Sequence, residues 1–410
     1  MRRFANLYIV MFLADAVLSL VDELFKALAV SLPLLGDVRN LVAFIVIAMS
    51  VVVFACLGID RRLPKRVFVP LTVYIFWCSL TLWPLIWLVG RDALGLVAAV
   101  GQLLIGGCAL LLRRPDGVLL SAEAFRAPMF SWRNTLGFTA ITLLLLPFVL
   151  AYTILAATSN YLDQNTAGFL RLSPLGIYMS ERSYQRDGQM VRLAGMMHIG
   201  KEDYYQDLAG SMASARTIIL AEGVTDRDKL LVNQFNYSKL AGVLGLSSQE
   251  TMNLDANLVD LEDLGAVEPG PGVRDTPDIA RADLDLNRFD PQTIEFLNVL
   301  GRTLFSGQPL AEGLLAYNAW ADEHMTPERI DGVMADILDK RNAVVIDGME
   351  RCLAHYDTII IPWGAMHMPA IEAAVLAQGF VPAASRERLS LDVRVIPYRE
   401  LWRKWATRKK

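Results

Sequence analysis

Two of the four histidines in this 410-residue chain share one context, Gly195-Met196-Met197-His198 and Gly364-Ala365-Met366-His367, each directly after an apolar run that reads as a strand. In α/β sheets ligands bind at the carboxyl ends of parallel strands, so both imidazoles are expected at a functional edge. A glycine three residues before each histidine lets the backbone turn tightly there. Glu222 ends the next apolar strand in Leu220-Ala221-Glu222-Gly223 and should rise on the same edge as His198. Two imidazoles and a carboxylate could hold Zn²⁺, Mn²⁺ or Co²⁺ with an open position for water, making hydroxide near neutrality. Without a metal, one histidine could act directly as general base while Glu222 orients it or relays the proton. Read without function, the histidines merely satisfy backbone ends at helix starts.

The elements that must position these residues follow from hydrophobic periodicity. Residues 191–194 and 217–220 read as buried strands around a helix at 202–213, a βαβ unit whose strands should be parallel. Helical patterns follow at 228–244 and 248–264, then a surface loop at 265–277 rich in glycine and proline. Asp290 before Pro291 is an N-cap signal for a helix through Leu304, and Thr326 before Pro327 opens a long pattern to His355. A β-branched run at 358–362, a helix at 369–377 stopped by Gly379, and a strand at 393–396 complete a second βαβ-like unit, with Arg386 to Arg388 in a solvated loop. Asp283 and Asp285 alternate with apolar neighbours and should share one strand face, as solvent-facing carboxylates or as part of a cation site. Met196, Met197, Met366 and Met368 flank the histidines, as core filling or as a soft wall for an apolar substrate.

The whole chain is 54% hydrophobic and 20% charged, too apolar for an ordinary soluble protein. Apolar runs at 41–59, 67–89, 93–112 and 136–158 are each long enough for a hydrocarbon core of about 30 Å. Residues 4–30 form a fifth span or an interfacial helix, with Asp15 in the middle. Arg61, Arg62, Lys65 and Arg66 in one loop, and Arg113, Arg114, Arg126 and Arg133 in another, mark cytoplasmic sides; Arg2 and Arg3 place the N-terminus inside. The expected architecture is therefore a helical membrane anchor of about five transmembrane helices over 1–158. An exported α/β domain with a central, largely parallel sheet follows over 159–410. With 39 basic and 43 acidic side chains, a net charge of −4 gives no cationic field for a nucleic-acid partner. Cys56, Cys78 and Cys108 lie in apolar stretches and only Cys352 in the polar remainder, so no disulfide framework or cysteine-rich metal site is expected. Trp402 and Trp405, interleaved with Arg403, Lys404, Arg408, Lys409 and Lys410, make a basic aromatic tail suited to an anionic lipid surface.

The two GxxH sequences, Glu222 at a strand end, the Arg341-Asn342 pair and the helix running to Gly379-Phe380 resemble the TraB/PrgY and TIKI superfamily, related more distantly to erythromycin esterase and ChaN-like proteins. The resemblance covers roughly residues 191–396 and departs at Ala370, where that family usually carries glycine. It implies an α/β fold with a metal-dependent hydrolase site, proteolysis being the activity attributed to TIKI-type members. Carried onto this chain, His198, Glu222 and His367 become metal ligands or acid-base groups, Arg341 a stabiliser of developing negative charge, and Asn342 an orienting residue; read without function, Arg341 is equally a member of a surface or interdomain ion pair. The leading expectation is thus a membrane-anchored hydrolase acting on a peptide or small ester outside the cytoplasm. Its rivals are a binding protein that captures a metal, haem or small peptide, and a membrane regulator that keeps the fold without the chemistry.

Overall fold

The computed structural model describes residues 1–30, 32–113, 119–212, 216–232, 246–248, 252, 254–263, 276–304, 310–399 and 403. The chain divides into two compact units, Met1–Asn160 and Tyr161–Lys410.

The first unit is helical: α1 (Arg2–Ala27), α2 (Pro33–Ile59), α3 (Lys65–Ser79), α4 (Ile86–Val89), α5 (Arg91–Arg113) and α6 (Trp132–Asn165). Four of these, α1, α2, α5 and α6, are long and apolar enough to cross a membrane. On α6 Phe148 is 71% and Leu144 69% exposed, apolar surface that a bilayer covers and water would not. The chain is thus a multi-pass membrane protein in contact with lipid. Of the about five transmembrane helices expected, four are found as single long helices; the run at 67–89 is not one, because α3 stops at Ser79 and a turn intervenes before α4. Pro84 lacks an N–H and restricts Trp83 before it, while Thr81 and Leu82 adopt left-handed backbone. The Trp77 indole then donates to the Trp83 carbonyl at 2.9 Å, fastening the break. By contrast α1 runs unbroken through Asp15, because that carboxylate is buried against α5 and not exposed to lipid.

The second unit is built on an eight-stranded mixed sheet: β1 (Leu170–Ser173), β2 (Gly176–Arg186), β3 (Gln189–Met196), β5 (Thr217–Ala221), β7 (Asn257–Leu258), β8 (Asp278–Arg281), β9 (Thr358–Gly364) and β10 (Val381–Asp392). A separate two-stranded pair joins β4 (Ile199–Gly200) to β6 (Ser247–Ser248). Strands β3, β9, β5, β8 and β7 run parallel in that spatial order. An antiparallel extension follows, in which β2 pairs with β1 and β3 along one edge and with β10 along the other. Helices α7 (Glu202–Gly210), α8 (Pro291–Leu304), α9 (Leu310–His324), α10 (Pro327–Met334), α11 (Arg341–Cys352) and α12 (Met368–Ala377) surround it. The core joins Val191, Leu193, Ile218, Ile219, Ile360 and Trp363 of the sheet to helix residues such as Val345 and Ile371.

Several sequence expectations change here. Strands β3 and β5 are parallel as the βαβ reading requires, but β9 lies between them. The mixed-polarity stretch before β3 holds β1 and β2, whose charged residues pair across the ladder: Glu181 accepts from Arg192 at 2.9 Å and also pairs with Arg388. Arg386 to Arg388 therefore belong to β10, with Arg388 buried, and not to a solvated loop. Residues 393–395 form a 3-10 turn where a strand was expected, and β10 returns antiparallel on β2 instead of extending the parallel sheet. Residues 228–232 and 254–263 carry no α-helix, while 233–245 and 264–275, with parts of the other patterns expected there, lie outside the described residues. The tail from Trp402 lies outside them too, except Arg403.

Candidate functional site at the carboxyl edge of the parallel strands

Four adjacent parallel strands each deliver one chemistry-bearing residue just past their carboxyl ends. In spatial order they are His198 after β3, His367 after β9, Glu222 after β5 and Asp283 after β8. The two GxxH sequences lie side by side, one residue out of register, since Gly195 pairs with Trp363 and Met196 with Gly364. Ala365 N–H donates to the Met196 carbonyl at 3.2 Å, carrying the pairing past the strand ends. His367 then caps α12 and is buried, stacked edge-on to Trp363. His198 is exposed, yet near enough for its charge to act on His367.

The third contribution comes from the long helical stretch after Thr326. It is interrupted by a π turn at Ala335–Lys340, after which Arg341 and Asn342 open α11. Such turns change the facing of the residues that follow. Buried Asp336 within the turn accepts from the Asp290 N–H at 2.7 Å, which ties it to the start of α8. The outcome is that Arg341 and Asn342 both reach the strand edge.

Arg341 is the centre of the cluster. Its Nε donates to Asp283 Oδ1 at 2.9 Å and its Nη2 to Asp283 Oδ2 at 2.7 Å, a two-pronged pair, and Nη2 also donates to Glu222 Oε1 at 2.8 Å. Its Nη1 faces the Ile337 carbonyl at 3.4 Å and His367 Nε2 at 3.3 Å. All five guanidinium N–H bonds thus have acceptors within the chain. Asn342 Oδ1 accepts from His367 Nδ1–H at 2.8 Å, which leaves Nε2 as the acceptor towards Arg341. The carboxylates are further held by backbone: Gly364 N–H donates to Glu222 at 2.7 Å, and Gly223 and Leu284 N–H each donate to Asp283 at 2.8 Å.

These contacts set the charge state of the imidazole. Burial pushes the His367 pKa down to about 4; Glu222 opposes this and the Arg341 cation adds to it. His367 is therefore a neutral imidazole across the physiological range. For Arg341, burial works against the charge, but Asp283 and Glu222 outweigh it and the guanidinium is held cationic.

This geometry corrects the metal-dependent hydrolase expected from the sequence. Among the described residues no group of three or more His, Cys, Asp or Glu side chains is arranged to hold a metal ion. The physical reason is that the cation of this site is already present and covalently attached. Glu222 and Asp283 already pair with Arg341, and both ring nitrogens of His367 are engaged, so no set of free lone pairs converges on one point. Zinc, manganese or cobalt coordination by His198, Glu222 and His367 is therefore overturned, and a metalloprotease reading with it. Arg341 likewise has no N–H directed at an incoming group. Asp283 enters the site as its counter-charge, whereas Asp285 turns away to cap a 3-10 turn through Asn287 N–H and to accept from Thr225 Oγ1 at 2.6 Å. Neither aspartate lies in a strand, since β8 ends at Arg281. Met196 and Met368 are core residues, Met366 is 38% exposed, and Ala370 is exposed on α12.

Comparison of the chain with protein-family models, with curated proteins and with solved structures gives no match.

Proposed function

We propose that this protein is a membrane-anchored, metal-independent receptor or regulator, a divergent relative of the TraB/PrgY and TIKI superfamily, whose strand-edge site binds a small amine-bearing ligand. One observation carries the reading: two acidic side chains, Glu222 and Asp283, face a single guanidinium beside a neutral imidazole. The described cluster is thus acceptor-rich, with one formal negative charge beyond what Arg341 balances. Buried charge is costly unless paired, so a protonated amine is the ligand chemistry that completes the set. Exposed His198 and Met366 on the same edge supply its solvent-facing rim. A cluster of this kind with a strongly shifted histidine, at the ligand-binding end of parallel strands, is a functional-site signature.

The relationship to that superfamily rests on the paired GxxH sequences, Glu222, and Arg341-Asn342 meeting in one place. In our reading the N-terminus is cytoplasmic and the α/β domain is exported. The arginine-rich stretches around Arg61 and Arg126 then lie inside, with α3 and α4 together making one broken crossing. A topology reporter after Lys410 reads as exported, and a cytoplasmic signal overturns the orientation.

The binding test is calorimetric titration of the full-length protein, with EDTA present, using primary amines and their N-acetylated counterparts. Saturable binding of an amine, absent for its acetylated form and abolished by Glu222→Gln, is the expected result. Equal response to both forms, or none to any amine, overturns the proposal.

A further inference from the structure

Outside the strand-edge site, the most unusual chemistry is in the membrane unit. Tyr8, Asp15 and Asp22 are spaced by seven residues along α1 and are all buried, so they form one polar stripe on the packed face of an apolar helix. At 1.5 Å per residue the stripe is about 21 Å long, most of the roughly 30 Å hydrocarbon thickness. Each member meets another helix: the Tyr8 hydroxyl and Ser50 Oγ of α2 are 2.9 Å apart, Gln102 Nε2 of α5 donates to Asp15 Oδ2 at 2.9 Å, and Arg39 of α2 donates to Asp22 at 2.9 Å.

Asp15 differs from the other two. It sits at the middle of α1, is 5% exposed, and its Oδ1 has no hydrogen-bond partner among the described residues. Gln102 does not supply one, because its amide nitrogen is shared between Asp15 Oδ2 and the Phe12 carbonyl, both at 2.9 Å. A carboxyl group serving only to pin α1 to α5 should have both oxygens satisfied, since an unmatched polar atom in hydrocarbon is costly. Ionisable residues facing the interior of a helical bundle typically mark ion or proton pathways. The groups that face Asp15 electrostatically are Arg39 from α2 and Cys78 from α3; α5 presents the uncharged Gln102. Asp22, two turns along the same helix, is held by Arg39 and Lys26.

We infer that Asp15 is a proton-binding site of the membrane unit, with Oδ1 as the atom that gains and loses the proton and Gln102 as the residue that holds Oδ2 in both states. The O–H bond forms and breaks at Oδ1 with no change of oxidation state, and the polar stripe through Asp22 leads towards the helix end where the proton exchanges with water.

Infrared difference spectra of the full-length protein in lipid, recorded between acidic and alkaline pH, test this directly. The expected result is a carbonyl band of a protonated carboxyl that appears and disappears with pH and is absent in Asp15→Asn. Because Asp15→Asn also removes a buried contact, Gln102→Leu serves as the second variant: it keeps Asp15 and moves the midpoint of that band by about one pH unit or more, the worth of a hydrogen bond to a charged group. A spectrum with no pH-dependent carboxyl band that either substitution removes or moves overturns the inference.

Discussion

Replacing Arg341 with methionine keeps a long apolar stem of similar reach and deletes the guanidinium. The change removes two hydrogen bonds to Asp283 and one to Glu222, and leaves both carboxylates at the strand edge without a cation. Removing one partner from a buried ion pair costs about 3–5 kcal/mol. The lower end applies here, because Glu222 still accepts from Gly364 N–H and Asp283 from Gly223 and Leu284 N–H. A loss of about 3 kcal/mol corresponds to roughly 100-fold faster opening of the strands that carry these residues. Hydrogen exchange of the full-length protein, read by mass spectrometry over β5 and β9, measures that opening, with α1 and α5 as internal controls. Arg341→Lys keeps the charge but not the planar fork, and falls between wild type and Arg341→Met. If exchange in Arg341→Met stays within a factor of about two of wild type, the range of a neutral substitution, the guanidinium does not hold the site together and the reasoning fails.

The neutral state of His367 gives a pH dependence. Its folded pKa of about 4 lies below the ordinary 6.5, so its contribution is fully present above about pH 6.5 and is lost as pH falls towards 4, amounting to no more than about 3 kcal/mol. Denaturation midpoints at pH 7 and pH 4.5 should therefore converge in His367→Gln relative to wild type. Asn342→Asp puts a negative charge against His367 Nδ1 at the 2.8 Å contact, and the imidazole NMR titration should rise by one pH unit or more; an unmoved titration rules out this contact. Gly176→Ala, at φ +149° and with its new methyl driven into the Leu391 carbonyl, should cost at least about 2 kcal/mol by prising β10 from β2, which is checked by thermal unfolding.

Much of the site was legible in the sequence because its signals are local. A glycine three residues before a histidine at the end of an apolar strand marks both His198 and His367, and Glu222 closes a strand in the same way. What sequence could not supply was the partner of each group. Arg341 lies 58 residues from Asp283 and 119 from Glu222, and its counter-charges emerge only when the π turn and the ends of β5 and β8 come together. The available signal for Asp283 was its alternation with apolar neighbours in Ala282-Asp283-Leu284, since β8 before it is itself half charged. Without the guanidinium in view, two imidazoles and a carboxylate suggest a metal; with it, the carboxylates pair with a cation the chain itself supplies. The fold was legible where strands are apolar on both faces, as at β5 and β9, and illegible where they are charged. The Glu181, Arg192 and Arg388 pairing buries polar residues of β2, β3 and β10 that alternation alone assigns to linkers and loops. In the membrane unit, hydropathy registered the length of 67–89 but not the turn that Pro84 imposes on it.

Total metal analysis of the full-length protein, purified without chelator and dialysed against a mixture of zinc, manganese and cobalt, addresses most directly the claim that Arg341 is the cation of this site. The geometry predicts no metal held at this site in wild type, and retention there only when Arg341→Met frees Glu222, Asp283 and His367. One metal ion per wild-type chain, lost in His367→Ala and in Glu222→Gln, contradicts it.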